Sequence, residues 1–201
     1  MLKQTALIVL MGLSASAMAG QWQVKVGGSA IAPTQDKQIA NGTMTVEADS
    51  ELAFTPSVEY FFNDNFSAEL LLATPISHDV NVTGAATAGV KLKHLPPTIT
   101  AKYNFKNSTA FTPYIGVGAT AFIPWDEEAS GDLANTKVKV KEDFGYAAQI
   151  GFNFQPADAK NWGVFADVRY ADLNPKVETA VENFKLDIDP VIYTLGYSYK
   201  F

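Results

Sequence analysis

The chain closes on Tyr193-Thr-Leu-Gly-Tyr-Ser-Tyr-Lys-Phe201. Large apolar side chains (Tyr193, Leu195, Tyr197, Tyr199, Phe201) alternate here with small or polar ones (Thr194, Gly196, Ser198, Lys200), so a strand would carry one apolar and one polar face. A soluble domain seldom ends on a bare aromatic edge strand, because such an edge invites aggregation and is normally blunted. The pattern suits the closing strand of a transmembrane β-barrel, which has no free edge and turns its aromatics toward lipid.

The other end of the chain sets the compartment. Lys3 supplies a positive n-region, Ala6 to Leu13 an apolar run, and Ala17-Met18-Ala19 a small-x-small cleavage site, which together read as a secretory signal peptide over residues 1–19. The run is too short for a membrane helix of about 20 residues, and no later apolar stretch is long enough either. Residues 20–201 then form one domain. The chain has no cysteine, which excludes disulfides, thiolate catalysis and thiolate metal sites. Its formal net charge is −6, and losing Lys3 makes the mature chain more acidic still, which argues against a nucleic-acid partner.

Working outward from the last strand, alternation recurs near 21–32, 51–62, 66–74, 96–105, 111–122, 142–154, 162–173 and 186–201. Each segment has roughly the ten residues that a tilted strand needs to cross a bilayer. The connections at 63–65, 106–110 and 155–161 are short, whereas those at 33–50, 75–95, 123–141 and 174–185 are long. Outer-membrane barrels have short periplasmic turns and long extracellular loops. The expected fold is therefore all-β, an eight-stranded antiparallel transmembrane barrel with both ends of the mature chain in the periplasm. That places the protein in the outer membrane of a Gram-negative cell.

Splitting the strands by parity gives an uncharged apolar row and an inward polar row. A lipocalin-like soluble barrel would need the reverse, with its charged row in water. Aromatics also gather near the short-turn end, among them Trp22, Tyr60, Phe66, Tyr103, Trp162 and Phe201, as an interfacial girdle requires. The outer row shows no charged or notched face, so a monomer in outer-membrane lipid is expected.

Eight strands enclose a space that side chains nearly fill. The inward row of the periplasmic half and midsection carries Lys25, Lys102, Arg169 and Lys200 beside Glu59, Glu69 and Asp167. Charges enclosed in low dielectric must be paired or hydrated, so these residues are expected to form a salt-bridged plug. Toward the extracellular end the row turns apolar with Ile31, Leu71, Phe122, Leu173, Ile188, Pro190 and Ile192, which predicts either packing under the loops or a dry pocket for small hydrophobic molecules. Pro75, Pro96 and Pro97 fall at one height on neighbouring strands and cannot donate to a ladder. They predict a lateral opening through which a solute could pass into the outer leaflet; the competing reading is that they only shape a loop.

The ordered set Leu95-Pro-Pro-Thr98, Phe111-Thr-Pro-Tyr-Ile-Gly-Val-Gly118, Asp187-Ile-Asp-Pro190 and the terminal aromatic resembles the OmpW family of small outer-membrane barrels over nearly the whole mature chain. The resemblance implies a hydrophobic channel open to the outside, passive uptake of small apolar compounds, and Phe201 as the signal read by the outer-membrane assembly machinery. It also implies an apolar constriction, matched by position to Leu71, Phe122 and Ile192. Roles in stress response or as a colicin receptor depend on loops and are not carried over.

Other chemistries are weaker. His78 and His94 both fall in the second long connection and read as solvated loop residues. A lipid-modifying enzyme would need a His with Ser or carboxylate partners, and Ser77-His78-Asp79 are only sequential neighbours. No metal-ligand spacing occurs, and Asp126-Glu127-Glu128 with Asp132 lacks the order of a calcium loop. No enzyme activity, metal or cofactor is expected. A non-transporting barrel for adhesion, phage or colicin binding, or envelope stress is the remaining alternative, and it would have no need of the inner apolar cluster.

Overall fold

The computed structural model describes residues 21–34, 36–84, 88–131, 134, 138–179 and 183–201. The signal peptide assigned to residues 1–19 lies outside them. In chain order the strands are β1 (Trp22–Ala32), β2 (Lys37–Ile39), β3 (Met44–Ala48), β4 (Glu51–Phe61), β5 (Phe66–Leu71), β6 (Ile76–Gly84), β7 (Ala88–Leu95), β8 (Thr98–Asn104), β9 (Phe111–Gly131), β10 (Lys139–Val140), β11 (Asp143–Phe154), β12 (Trp162–Ala171), β13 (Lys176–Glu178), β14 (Asn183–Lys185) and β15 (Val191–Lys200).

The barrel wall runs β1-β4-β5-β8-β9-β11-β12-β15, antiparallel at every seam, and closes because β15 pairs with β1 from Gln23↔Lys200 to Ala32↔Val191. The terminal strand is thus paired on both sides and leaves no edge. Turn chemistry closes the periplasmic hairpins. Asn63 Oδ1 accepts the backbone N–H groups of Asn65 (2.9 Å) and Phe66 (2.8 Å), and Asn107 Oδ1 accepts that of Thr109 at 2.8 Å, the Asx geometry that lets Asn turn a chain.

Burial is inverted relative to a soluble barrel. Leu52 is 83% exposed and Phe144 75%, whereas Lys25 and Glu59 are 0% exposed. At the short-turn end the outer aromatics meet at tilted and edge-to-face angles, as in Trp22–Tyr60 at 4.9 Å, Tyr60–Phe62 at 5.2 Å and Tyr103–Phe105 at 5.0 Å between ring centroids, forming the girdle of a membrane interface. The belt is not uniform, however. Gly28 opens a groove of about 580 Å³ between Leu52 and Phe54 on one side and Tyr193 and Leu195 on the other.

The extracellular half departs from expectation. The segments anticipated as long loops at 33–50 and 75–95 fold into β2, β3, β6 and β7, and β9 runs on to Gly131, so the sheet continues above the membrane. Here the alternation has the opposite sense. Ile76, Val80, Val90 and Leu92 are buried inside while Lys91 and Lys93 face outward, because the exterior at this height is water rather than lipid. A separate three-stranded sheet of β10, β13 and β14 packs Val140, Val177 and Leu186 onto the same core as Val46, Val80, Leu92 and Leu173. The last strand starts at Val191 rather than 186, since Pro190 has no donor to extend it.

Close packing of strands constrains single glycines. A Cβ at Gly118 would lie 1.9 Å from the carbonyl oxygen of Ile99 on β8. Gly118→Val should cost at least about 1–3 kcal/mol, read as a lower urea midpoint for the barrel in lipid vesicles. Gly28→Ala meets nothing within 4 Å and should leave that midpoint unchanged.

Candidate functional site

Period-two alternation on a closed barrel sends one residue in two from every strand into the lumen. In the periplasmic half and midsection that row assembles a charged floor. Lys25 on β1 pairs with Glu59 on β4 at 2.5 Å and with Glu69 on β5 at 3.7 Å, and Lys102 on β8 lies 2.9 Å from both carboxylates. Arg169 on β12 approaches Glu69 at 4.0 Å and donates to Gln149 Oε1. Ser57 and Ser67 donate to Glu69 Oε1 (2.7 Å) and Glu59 Oε1 (2.6 Å). Asp167 joins through the Tyr114 hydroxyl, which donates to it at 3.0 Å, while the Lys102 ammonium sits 3.7 Å above the Tyr114 ring. Removing such ions from water costs several kcal/mol each, and close pairing with added hydrogen bonds offsets that cost. Gly116 makes the room, for a Cβ there would come within 2.8 Å of Gln149 and 3.1 Å of Lys102.

One expected member is elsewhere. Lys200 does not reach the floor; its ammonium lies 4.2 Å over the Phe61 ring and lines a separate polar cavity of about 280 Å³ with Asp64, Asn104 and Lys106. As the last residue of β15 it sits at the periplasmic rim, below the level where Lys25 and Lys102 meet. The parity was right and the height was not.

Above the floor a hydroxyl rung crosses three strands, Ser29 Oγ lying 2.6 Å from Thr55 Oγ1 and 2.8 Å from Thr194 Oγ1. Beyond it the inward row is apolar. Ile31, Leu71, Phe122, Leu173, Ile188, Pro190 and Ile192 all line one narrow cavity of about 40 Å³. The cavity wall also includes Ala48, Ile76, Val80, Leu92 and Val140 from the strands above the membrane. Sequence reasoning missed those residues because it treated their segments as loops. The available signal was the alternation of Ile76 with Ser77 and of Leu92 with Lys91 and Lys93, read with the inside apolar.

His94 is the chief correction. It is not a solvated loop residue: on β7 it is 5% exposed, lines the apolar cavity, and stacks on Phe122 with ring centroids 4.6 Å apart. Asp126, expected in the long connection at 123–141, likewise lies within the course of β9 and pairs with Lys93 at 3.5 Å. Among the described residues no group of three or more His, Asp or Glu side chains gathers to hold a metal.

Beside the cavity the wall loses its ladder. The β5–β8 seam ends at Leu71↔Thr98 and the β6–β7 seam begins at Ile76↔His94, and among the described residues no ladder pair joins 72–75 to 95–97. Each flank holds its other neighbour instead. Leu72 N–H donates to Pro56 O (2.8 Å) and Thr74 N–H to Phe54 O (2.9 Å), while Ala121 N–H donates to Pro97 O at 3.0 Å. Pro96 lines the cavity at this gap, whereas Pro75 is exposed beside it.

A closed barrel with a belt facing lipid, a paired charged floor and an apolar upper lumen is the context in which likenesses to known proteins have meaning. The model of the OmpW family matches residues 18–201. The chain belongs to the OmpW family. It is 31% identical to outer membrane protein W of Vibrio cholerae serotype O1, with all of both chains covered. Its fold is similar to the crystal structure of OprG from Pseudomonas aeruginosa, with a TM-score of 0.79 and 26% identity over 91% of this chain and 96% of that one. The solution structure of Escherichia coli outer membrane protein W matches with a TM-score of 0.63 and 25% identity over 92% of this chain and 100% of the other. This OmpW-family barrel therefore resides in the outer membrane of a Gram-negative bacterium, its short turns periplasmic and its long connections extracellular.

Breaking the floor leaves a buried cation without its partner. Glu69→Ala should destabilise the barrel by about 3–5 kcal/mol, read by urea unfolding in vesicles. A Glu59→Ala, Glu69→Ala double variant should raise single-channel ion conductance in planar bilayers; unchanged conductance would argue against a plug.

Outside the membrane, Glu178 on β13 takes ion pairs from Lys141 (3.2 Å) and Lys176 (3.4 Å). The hydrogen bond from Lys141, followed by Lys176, holds its carboxyl below the usual carboxylate range. Its contribution is present above the unfolded carboxylate value and is lost as pH falls through the depressed one. Hydrogen exchange in β10 and β13 should quicken across that acidic window, and Glu178→Gln should remove the pH dependence.

Proposed function

We propose that this barrel is a passive channel for uptake of small hydrophobic molecules, which enter from the extracellular side, occupy the apolar cavity and leave sideways into the outer leaflet. The observation that carries the reading is the position of the cavity: mainly apolar walls stand above the charged floor and its hydroxyl rung, and, among the described residues, a stretch of wall without ladder pairing stands beside them. An apolar solute gains from contact with Ile31, Phe122, Leu173 and Ile192 and loses if driven down among paired ions. The lateral path is therefore downhill and the axial one is not.

In this reading Leu71, Phe122 and Ile192 form the constriction, Pro96 and Pro97 keep the side gap from zipping shut, and Pro75 stops β5 from extending across it. The floor blocks ions and polar solutes. No covalent chemistry is required, so the protein acts as a conduit and not as an enzyme, with no cofactor. Its partners are outer-membrane lipid, the hydrophobic solutes and, through Phe201, the assembly machinery that inserts it as a monomer; nucleic acid is not among them.

Replacing Pro96 and Pro97 with Val restores the missing donors and should slow uptake of a hydrophobic solute by cells carrying the variant, at equal barrel abundance. Uptake at the original rate would remove the side gap as the exit. Ile192→Trp, which fills the cavity, should reduce uptake further, and full uptake in that variant would favour a purely structural or receptor role.

A further inference from the structure

We infer that the outer face of the β10–β13–β14 sheet is a binding surface for the phosphate groups of an outer-leaflet glycolipid, with Lys139, Lys141, Lys176 and Lys185 as its contacts. The inference is independent of solute uptake, because this face is turned away from the cavity.

The register builds the surface. Lys139 and Val140 on β10 stand opposite Glu178 and Val177 on β13, while Lys176, Val177 and Glu178 stand opposite Lys185, Phe184 and Asn183 on β14. The ladder continues one residue past β10, where Lys141 N–H donates to Lys176 O at 2.9 Å. Val140 and Val177 are each 6% exposed and belong to the core. Alternation therefore turns the flanking residues outward, and all of them are exposed or half-buried. One row across the three strands is Lys141, Lys176 and Lys185; the next is Lys139, Glu178 and Asn183.

Four of the 15 basic residues of a chain with net charge −6 thus share one small sheet face. Like charges directly opposite each other weaken a sheet, so the lysine row costs stability unless an anion meets it. Glu178 meets part of that need, taking Lys141 and Lys176 on its two carboxylate oxygens at 3.2 and 3.4 Å. Among the described residues, Lys139 and Lys185 have no ion pair. Glu142 adds a carboxylate next to Lys141 in the chain, and Asp143 is engaged by Asn174 N–H at 2.6 Å. Four ammonium groups against the carboxylates of Glu178 and Glu142 leave the surface cationic.

Height selects the partner. Phe144, 75% exposed on the lipid-facing row of β11, follows Lys141 by three residues, a span of at most about 11 Å. The lysine row therefore stands just above hydrocarbon, at the level of the outer-leaflet head groups. In a Gram-negative outer membrane those head groups are phosphorylated sugars, and Lys binds phosphate as a point charge. Adjacent strands lie about 4.8 Å apart, so the row spans about 10 Å and can meet more than one phosphate.

The test uses the mature barrel in dodecyl maltoside micelles, which carry no phosphate. Added bisphosphorylated lipid A should protect Lys139, Lys141, Lys176 and Lys185 from an amine-acylating reagent, read by mass spectrometry, and the same lipid stripped of both phosphates should not. Lys139→Gln with Lys185→Gln removes two cations that no ion pair holds. That double variant should bind lipid A about 25-fold more weakly, at about fivefold for each lysine near an anionic surface. Equal protection by the phosphorylated and stripped lipids would overturn phosphate recognition, as would unchanged affinity in the double variant. Protection by inorganic phosphate as strong as that by lipid A would overturn the glycolipid as occupant. Should the double variant fail to assemble, the two lipids compared on the unmodified barrel decide by themselves.

Discussion

Backbone N–H and C=O groups that cross hydrocarbon have no water to bond to, and each unsatisfied one costs several kcal/mol. Every other property of this chain is arranged around that constraint. Closure of β15 onto β1 from Lys200 to Val191 satisfies the last edge and fixes the register. A fixed register decides which side chains face lipid and which face each other across the lumen, because a slip of one residue would exchange the two rows. Lys25, Glu59, Glu69 and Lys102 can therefore be buried together only because four different strands hold them at one height.

The same constraint explains why the side gap matters. Residues 72–75 and 95–97 keep their hydrogen bonds to β4 and β9 while giving up those to each other. Prolines make that arrangement cheap, since Pro75, Pro96 and Pro97 have no N–H to leave orphaned. A wall can thus lack pairing at one seam without the full penalty that an ordinary sequence would incur. The gap coincides with the level at which the inward row changes from hydroxyls at Thr98 and Thr120 to the apolar cavity, so the weakened wall and the dry lumen are adjacent by register.

Legibility of the sequence followed the solvent. Where the surroundings are lipid, the apolar-out rule located the eight wall strands and the inward apolar residues from Ile31 to Ile192, and it listed the charged residues that meet in the floor without pairing them. Above the membrane the surroundings change to water and the rule reverses sign, so Ile76, Val80, Val90 and Leu92 looked like loop residues when they were core. His94 was misplaced for the same reason: it belongs to a strand whose alternation was being judged by the wrong exterior. Lys200 shows a different limit. Parity fixes the side of a strand on which a residue lies, but its height depends on tilt and stagger, and those set Lys200 at the rim with Phe61 rather than with Glu59.

The strand that ends the chain spans these levels. Its inward row passes from Lys200 at the periplasmic rim, through Ser198 and Gly196 beside Phe165, to Thr194 on the hydroxyl rung and Ile192 in the cavity wall. Polarity falls step by step along one row while the outward row from Tyr199 to Tyr193 remains uniformly apolar. A water-filled pore would need an inward row that stays polar throughout, and a closed structural barrel could fill its lumen without a gradient. A row that starts charged and ends dry supports the proposed channel, in which an apolar solute is held at the upper end and kept from descending.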